Sequence, residues 1–206
     1  MITVVFGNPG CGKTTDAIKR AIKSQKKYDH AYVNFEHTYD HAYLADLSDL
    51  GDWTFKPNSL ILIDEAGIEY NNRAFKALPK KTIAWFKKHR HYRCDCIVYS
   101  QSFDDMDVTL RRLAVEYWLL YRIGPWTLSR RIYKKVGIDK QTSQIIDKYQ
   151  FASLLWLLVW PLQYVMRDFK YRLTYRPRYY KYFDSWATDD LRVKEFPLPE
   201  SPTADE

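Results

Sequence analysis

Apolar runs alternate with polar, helix-spaced segments along most of this chain, and their order predicts its elements. Ile2-Thr3-Val4-Val5-Phe6 reads as a strand covered on both faces, as parallel strands usually are. A helix follows from about Lys13 to Lys26, with Ala17, Ile18, Ala21 and Ile22 on its inward stripe. Lys23, Lys26 and Lys27 stand near its end, where cations meet the negative pole of the helix dipole. Ala31 to Phe35 predicts a second strand. From there to position 59 the chain is polar and broken by Gly51 and Pro57, which predicts a surface loop with one short helix near 40–47. Ser59 to Ile63 is a third, fully buried strand. A helix over 80–89 starts beside Pro79 and packs through Ile83, Trp85 and Phe86. Asp95 to Gln101 gives a fourth strand, residues 108–113 a helix and Val115 to Tyr121 a fifth strand.

Between the first strand and its helix lies Gly7-Asn8-Pro9-Gly10-Cys11-Gly12-Lys13-Thr14, a complete G-x-x-x-x-G-K-[ST] loop in the context that motif requires. Its glycines let the backbone turn tightly and bring successive N–H groups to phosphate oxygens, and the helix adds the positive end of its dipole. Residues from Gly7 through Thr15 are therefore the expected nucleotide contacts. Lys13 would reach the β- and γ-phosphates, and the Thr14 hydroxyl would hold Mg²⁺. The third strand ends in Asp64-Glu65, at the strand ends where open α/β sheets bind ligands. Asp64 is expected on Mg²⁺, through water, and Glu65 on the attacking water. The expected cofactors are ATP and Mg²⁺, and the reaction is hydrolysis of ATP to ADP and phosphate.

Weaker signals follow. Gln101 ends the fourth strand, so it could sense the γ-phosphate or orient water, or simply be a solvated strand end. Arg111 and Arg112 could supply an arginine finger to a neighbouring subunit, or lie on a solvated helix face. His89, His91, Cys94 and Cys96 invite a metal reading. The C-x-C pair is expected to aim its sulfurs at opposite faces of a strand, and zinc-finger spacings are missing, so structural roles are expected.

The expected architecture is α/β: a P-loop NTPase with a mostly parallel five-stranded sheet, order 5-1-4-3-2, flanked by helices over residues 1–123. A small basic, aromatic appendage would follow over 124–183, then an acidic, Pro-containing tail over 184–206. Three cysteines, one inside the phosphate loop, predict no disulfide framework and a reducing cytosolic setting; no secretory signal is read at the amino terminus.

Charge adds a second theme. The chain carries a net +7, but residues 124–182 hold 12 basic and 3 acidic residues. A partner of negative charge is expected there, either nucleic acid or an anionic membrane surface. Residues 151–166 are largely apolar, interrupted by Ser153, Pro161 and Gln163. As straight helix they would reach about 24 Å, short of the ~30 Å hydrocarbon layer. Trp156, Trp160 and Tyr164 would share one face, and Arg167, Lys170, Arg172, Arg176 and Arg178 form a cationic flank. An interfacial or re-entrant anchor and a helix packed on the core both fit. The stretch Tyr171 to Phe183 could stack single-stranded DNA or edge a sheet.

Taken together, GNPGCGKTT, LILIDEAG and HRHYRCDCIVYSQSFDDMDVTLRRL resemble the zonula-occludens-toxin-like family of filamentous-phage assembly ATPases, over roughly residues 1–123. The first two motifs are common to many P-loop ATPases; the third carries the family signal. The resemblance implies a cytoplasmic ATPase at the inner face of the host membrane that drives virion extrusion. A ring-like homo-oligomer and phage assembly proteins as partners go with it. By position it implies Gly12, Lys13 and Thr14 on nucleotide and Mg²⁺, Asp64 and Glu65 in catalysis, and Gln101 as sensor. It also implies a membrane span after the ATPase domain, beyond which members often have a longer tail. A soluble DNA-translocating or packaging ATPase, a small-molecule kinase and a non-enzymatic nucleotide-binding scaffold remain open alternatives.

Overall fold

The computed structural model describes residues 1–45, 50–52, 55–65, 79–104, 106–138, 145–155 and 170–183. Among them nine strands form one sheet. In chain order the elements are β1 (Ile2–Phe6), α1 (Lys13–Ser24), β2 (His30–Val33), β3 (Ala42–Leu44), β4 (Ser59–Ile63), α2 (Lys80–Lys88) and β5 (Cys94–Ser100). Then come α3 (Val108–Leu113), β6 (Glu116–Ile123), β7 (Trp126–Ile138), β8 (Ile145–Phe151) and β9 (Tyr171–Tyr175).

The strands lie in the order β3-β2-β4-β5-β1-β6-β7-β8, and β9 also pairs with β7. From β3 to β6 every pairing is parallel, which puts the carboxyl ends of β1, β4 and β5 along one rim. Pairings of β7 are antiparallel: β6 runs along one edge, and β9 and β8 share the other, against Trp126–Arg130 and Ile132–Ile138 respectively.

Both faces of the parallel part are buried. Side chains alternate across a strand, so Ile2 and Val4 of β1, Ile61 and Ile63 of β4, and Cys96 and Val98 of β5 meet Trp85 and Phe86 of α2 and Leu110 of α3. Val5, Leu60, Leu62, Ile97 and Tyr99 face the other way, against Ala17 and Ala21 of α1. The small alanines bring α1 close to the sheet, and the Tyr99 hydroxyl reaches over to donate to the Asp16 carboxylate at 3.1 Å. Asp16 in turn pairs with Arg20 at 2.7 Å, which neutralises both buried charges.

Three expectations are corrected. The sheet is wider than five strands, because β3 is added at one edge and residues after 124 add β7, β8 and β9. The short helix expected near 40–47 is not formed over 42–44: Ala42–Leu44 pairs in parallel with Ala31–Val33 of β2, burying Ala42 against the core. Cys94 and Cys96 lie on the same face of β5, both in the core cluster of α2. A strand repeats every two residues, so i and i+2 never split between faces.

Candidate nucleotide site

The loop between β1 and α1 is held by its own backbone and by its neighbours. The Cys11 N–H donates to the Asn8 carbonyl at 3.2 Å, and the Asp16 N–H to that of Gly12 at 3.0 Å, which opens the helix. Gly12 sits at φ 96°, in left-handed space that L side chains rarely adopt. Gly7 is needed for a different reason: a Cβ there would stand 2.7 Å from the Leu120 carbonyl oxygen. Cys11 is buried, and burial pushes its thiol up, so it packs rather than reacts.

Lys13 is buried inside this loop, its Nζ donating to the Gly7 carbonyl at 3.2 Å and lying 3.8 Å from the Glu65 carboxylate. The Thr14 hydroxyl donates to Asp64 Oδ2 at 2.7 Å, across fifty residues of sequence. This contact follows from the sheet order, because β1 and β4 flank β5 and end on the same rim. Burial pushes the Asp64 carboxyl up, the Thr14 hydrogen bond works against this and the Glu65 charge adds to it. A buried carboxylate whose charge is under-compensated, touching a hydroxyl, presents the hard oxygen donors that Mg²⁺ takes.

Glu65 follows at φ 51°, in left-handed backbone that is unfavourable for a side chain of this type. Its carboxylate accepts from Gln101 Nε2 at 3.2 Å. Lys13, Glu65 and Gln101 thus form one polar chain over the loop, brought together from the start of α1 and from just past the ends of β4 and β5. Thr15 is buried in the first turn of α1, and Asn8, Pro9 and Gly10 are exposed.

A cavity of about 820 Å³ opens here, bounded by Gly10, Gly12, Lys13, Thr14 and Glu65. This volume is in the range of ligand-binding clefts. Arg111 and Arg112 do not line it. Arg111 pairs with Asp104 at 3.1 Å and lies over the Phe103 ring, and Arg112 is exposed on α3.

Sequence reasoning missed several residues of the site. Asn34, just past β2, donates from Nδ2 to the Asp64 carbonyl at 2.9 Å and accepts the Asp64 N–H at 2.7 Å, fixing the peptide groups on both sides of Asp64. Arg122, Arg176, Tyr180 and Phe183 complete the cavity wall. Arg176 is buried: it donates to the Gly10 carbonyl at 3.1 Å and to the Gly124 carbonyl. Thr127 of β7 donates to the Cys11 carbonyl at 2.6 Å. Of these, only the ending of β2 in a polar amide carried a local signal.

The cationic flank is corrected in the same way. Arg176 turns inward onto the loop and Arg172 stacks over Trp118, 4.0 Å from its ring centroid, so neither belongs to an outward-facing basic strip. Of the stretch read as a DNA contact or sheet edge, Tyr171–Tyr175 is the edge strand β9. Residues 156–166 of the apolar segment, Arg167 and the tail 184–206 lie outside the described residues. No described helix is long and apolar enough to cross a membrane.

Comparison with known proteins bears on this geometry. A model of the zonular occludens toxin (Zot) family matches residues 33–124. The amino-terminal domain of zonular occludens toxin from Neisseria meningitidis superposes with a TM-score of 0.54 at 18% identity, covering 75% of this chain and 96% of that one. The genome packaging NTPase of Sulfolobus turreted icosahedral virus 2 matches with a TM-score of 0.48 at 14% identity, over 74% and 96% of the two chains. A flagellar accessory protein of Methanocaldococcus jannaschii gives 0.48 at 13%, over 71% and 88%. No curated protein sequence matches significantly. The fold is that of a P-loop NTPase, and the family match over residues 33–124 together with this superposition supports a Zot-like P-loop domain.

Proposed function

We propose that this chain is an ATP-hydrolysing motor that drives assembly and extrusion of filamentous phage virions at the inner face of the host membrane. The ATPase half is carried by one observation, the 2.7 Å contact between the Thr14 hydroxyl and Asp64. It joins the two halves of a nucleotide–metal site that are far apart in sequence. Backbone N–H groups from Gly10 to Thr15 and the Lys13 ammonium would bind the β- and γ-phosphates, and Thr14 and Asp64 would hold Mg²⁺. Magnesium, when bound, neutralises charge on those phosphate oxygens. Glu65 orients the attacking water and takes its proton, and Gln101, bonded to the Glu65 carboxylate, fixes its direction. The left-handed backbone at Glu65 supports this role, since such conformations cluster at functional positions.

The assembly half rests on the Zot-family match. In a ring of subunits, α3 would offer Arg111 and Arg112 to the neighbouring site, in trans. Residues 151–178, through cations other than Arg172 and Arg176, would meet an anionic membrane surface, and single-stranded DNA would be handled nearby.

The test is ATP turnover by the full chain, wild type, Lys13→Ala and Glu65→Gln, with and without anionic vesicles. Turnover in the wild type, its loss in both variants with nucleotide binding kept in Glu65→Gln, and stimulation by vesicles are expected. A wild type that binds MgATP without consuming it removes the motor. Turnover indifferent to vesicles but raised by DNA moves the activity away from the membrane.

A further inference from the structure

The phosphate loop, the start of α1 and Glu65 account for only part of the cavity lining. The rest is made by Arg122 near the end of β6 and by Arg176, Tyr180 and Phe183, from the two short 3₁₀ turns after β9 and the residue that follows them. Those turns are pinned at both ends. At the near end Arg176 bonds the Gly10 carbonyl through its guanidinium, and its N–H donates to the Pro125 carbonyl at 3.0 Å. At the far end the Thr38 N–H donates to the Tyr182 carbonyl at 2.9 Å, its hydroxyl donates to that of Lys181 at 3.2 Å, and the Tyr39 and Tyr182 rings meet edge to face. The segment is a strap from the phosphate loop to the β2–β3 connection.

Its chemistry changes along its length. Beside the loop it is cationic. At Tyr180 and Phe183 it becomes aromatic, the two rings forming an edge-to-face corner with centroids 6.4 Å apart. These rings also border the next hollow, with His37 and Thr38, so they stand where the phosphate-binding wall ends. Tyr180 is 47% exposed on a strap whose backbone is fixed, so among the described residues its ring has an open face.

We propose that the strap Arg176–Phe183 is the nucleoside wall of the site, with the Tyr180 and Phe183 rings as the stacking surface for a nucleobase. The proposal rests on the nucleotide reading above and extends it to the ligand's other end. A triphosphate gripped at Lys13 and Thr14 leaves its base to be held elsewhere, and one ring face of this corner, on a strap whose backbone is pinned by hydrogen bonds, holds it at small entropic cost. Arg122 is the cation beside the polyphosphate: its guanidinium is the nearest group to a Cβ built on Gly10, at 3.8 Å.

The experiment compares two ligands of the full chain, each with Mg²⁺: a non-hydrolysable ATP analogue and inorganic tripolyphosphate. Stacking on one aromatic ring corresponds to roughly 5- to 150-fold in affinity. Tyr180→Ala and Phe183→Ala are expected to weaken the analogue by that factor and to leave tripolyphosphate within about twofold. Tyr180→Phe keeps the ring and should keep the affinity. The proposal is overturned if the alanine variants lose both ligands equally, or neither, or if the wild type binds the analogue no tighter than tripolyphosphate. Binding of neither ligand by the wild type, or indifference of both to Lys13→Ala, overturns the phosphate-loop reading along with it.

Discussion

Asn34 and Asp64 are joined by two hydrogen bonds between one side chain and the backbone of one residue: Nδ2 to the Asp64 carbonyl at 2.9 Å, and the Asp64 N–H to Oδ1 at 2.7 Å. The amide therefore sets the orientation of the strand end from which both acids project. Each such bond is worth about 0.5–1.5 kcal/mol net. Asn34→Ala should lower unfolding free energy by about 1–3 kcal/mol in urea denaturation and reduce ATP turnover. Asn34→Asp keeps the acceptor and loses the donor, so it should fall between.

Glu65 occupies left-handed backbone at φ 51°, where a side chain of this kind costs about 1–2 kcal/mol. Glycine has no such cost there. Glu65→Gly should be no less stable than the wild type while its turnover is abolished. A stability loss above about 1 kcal/mol in the same titration would mean that the contacts with Lys13 and Gln101 outweigh the backbone term.

Two glycines of the phosphate loop should respond differently to a methyl group. At Gly12, φ 96°, a Cβ would stand 2.4 Å from Thr127 Oγ1 and 3.0 Å from Arg176 Cδ. At Gly10, φ 73°, the nearest atom is Arg122 Nη1 at 3.8 Å, an ordinary contact. Gly12→Ala should cost about 2–4 kcal/mol, backbone and overpacking together, and Gly10→Ala about 1 kcal/mol. Denaturation without nucleotide gives the ranking, and equal costs would contradict the close approach of β7 and the strap.

Lys19 provides a pH-dependent contribution. Burial pulls its ammonium down to about 8, although the Asp16 carboxylate favours the charged form. It donates to the Leu173 carbonyl at 3.3 Å and to the Thr174 hydroxyl, tying α1 to β9. Between pH 8 and the ordinary lysine value the unfolded chain holds a proton that the folded one has released, so stability contributed here rises with pH. Buried Cys11 and Cys94 thiols, pushed up by burial, act in the opposite sense. The difference between wild type and Lys19→Met isolates the lysine: its wild-type-minus-variant stability should climb from pH 8 to 10 and be flat below pH 7.

What could be read from the sequence was local. The phosphate loop is contiguous, and Leu60 to Glu65 combines a buried strand with its terminal acids, so both showed in short windows. The width of the sheet did not. In β7, Arg130, Arg131, Lys134 and Lys135 interrupt the apolar pattern, because β7 lies between antiparallel neighbours where charged stems run along the sheet and cover rings, as Arg131 does at Tyr133. The three residues of β3 are too few to show any period. Asn34, Arg122 and Arg176 act through backbone carbonyls or cavity shape, not through a motif, and only the fold brings them to the loop.

Two carbonyls of the phosphate loop, Cys11 and Gly10, are the anchor points for Thr127 and Arg176. Tension applied along β7 or β9 is therefore transmitted to the turn that grips the triphosphate without crossing the hydrophobic core. In the motor proposed above, such a linkage would work in both directions: a bound ligand would stiffen the adjoining sheet edge, and a load on that edge would alter the hold on the ligand.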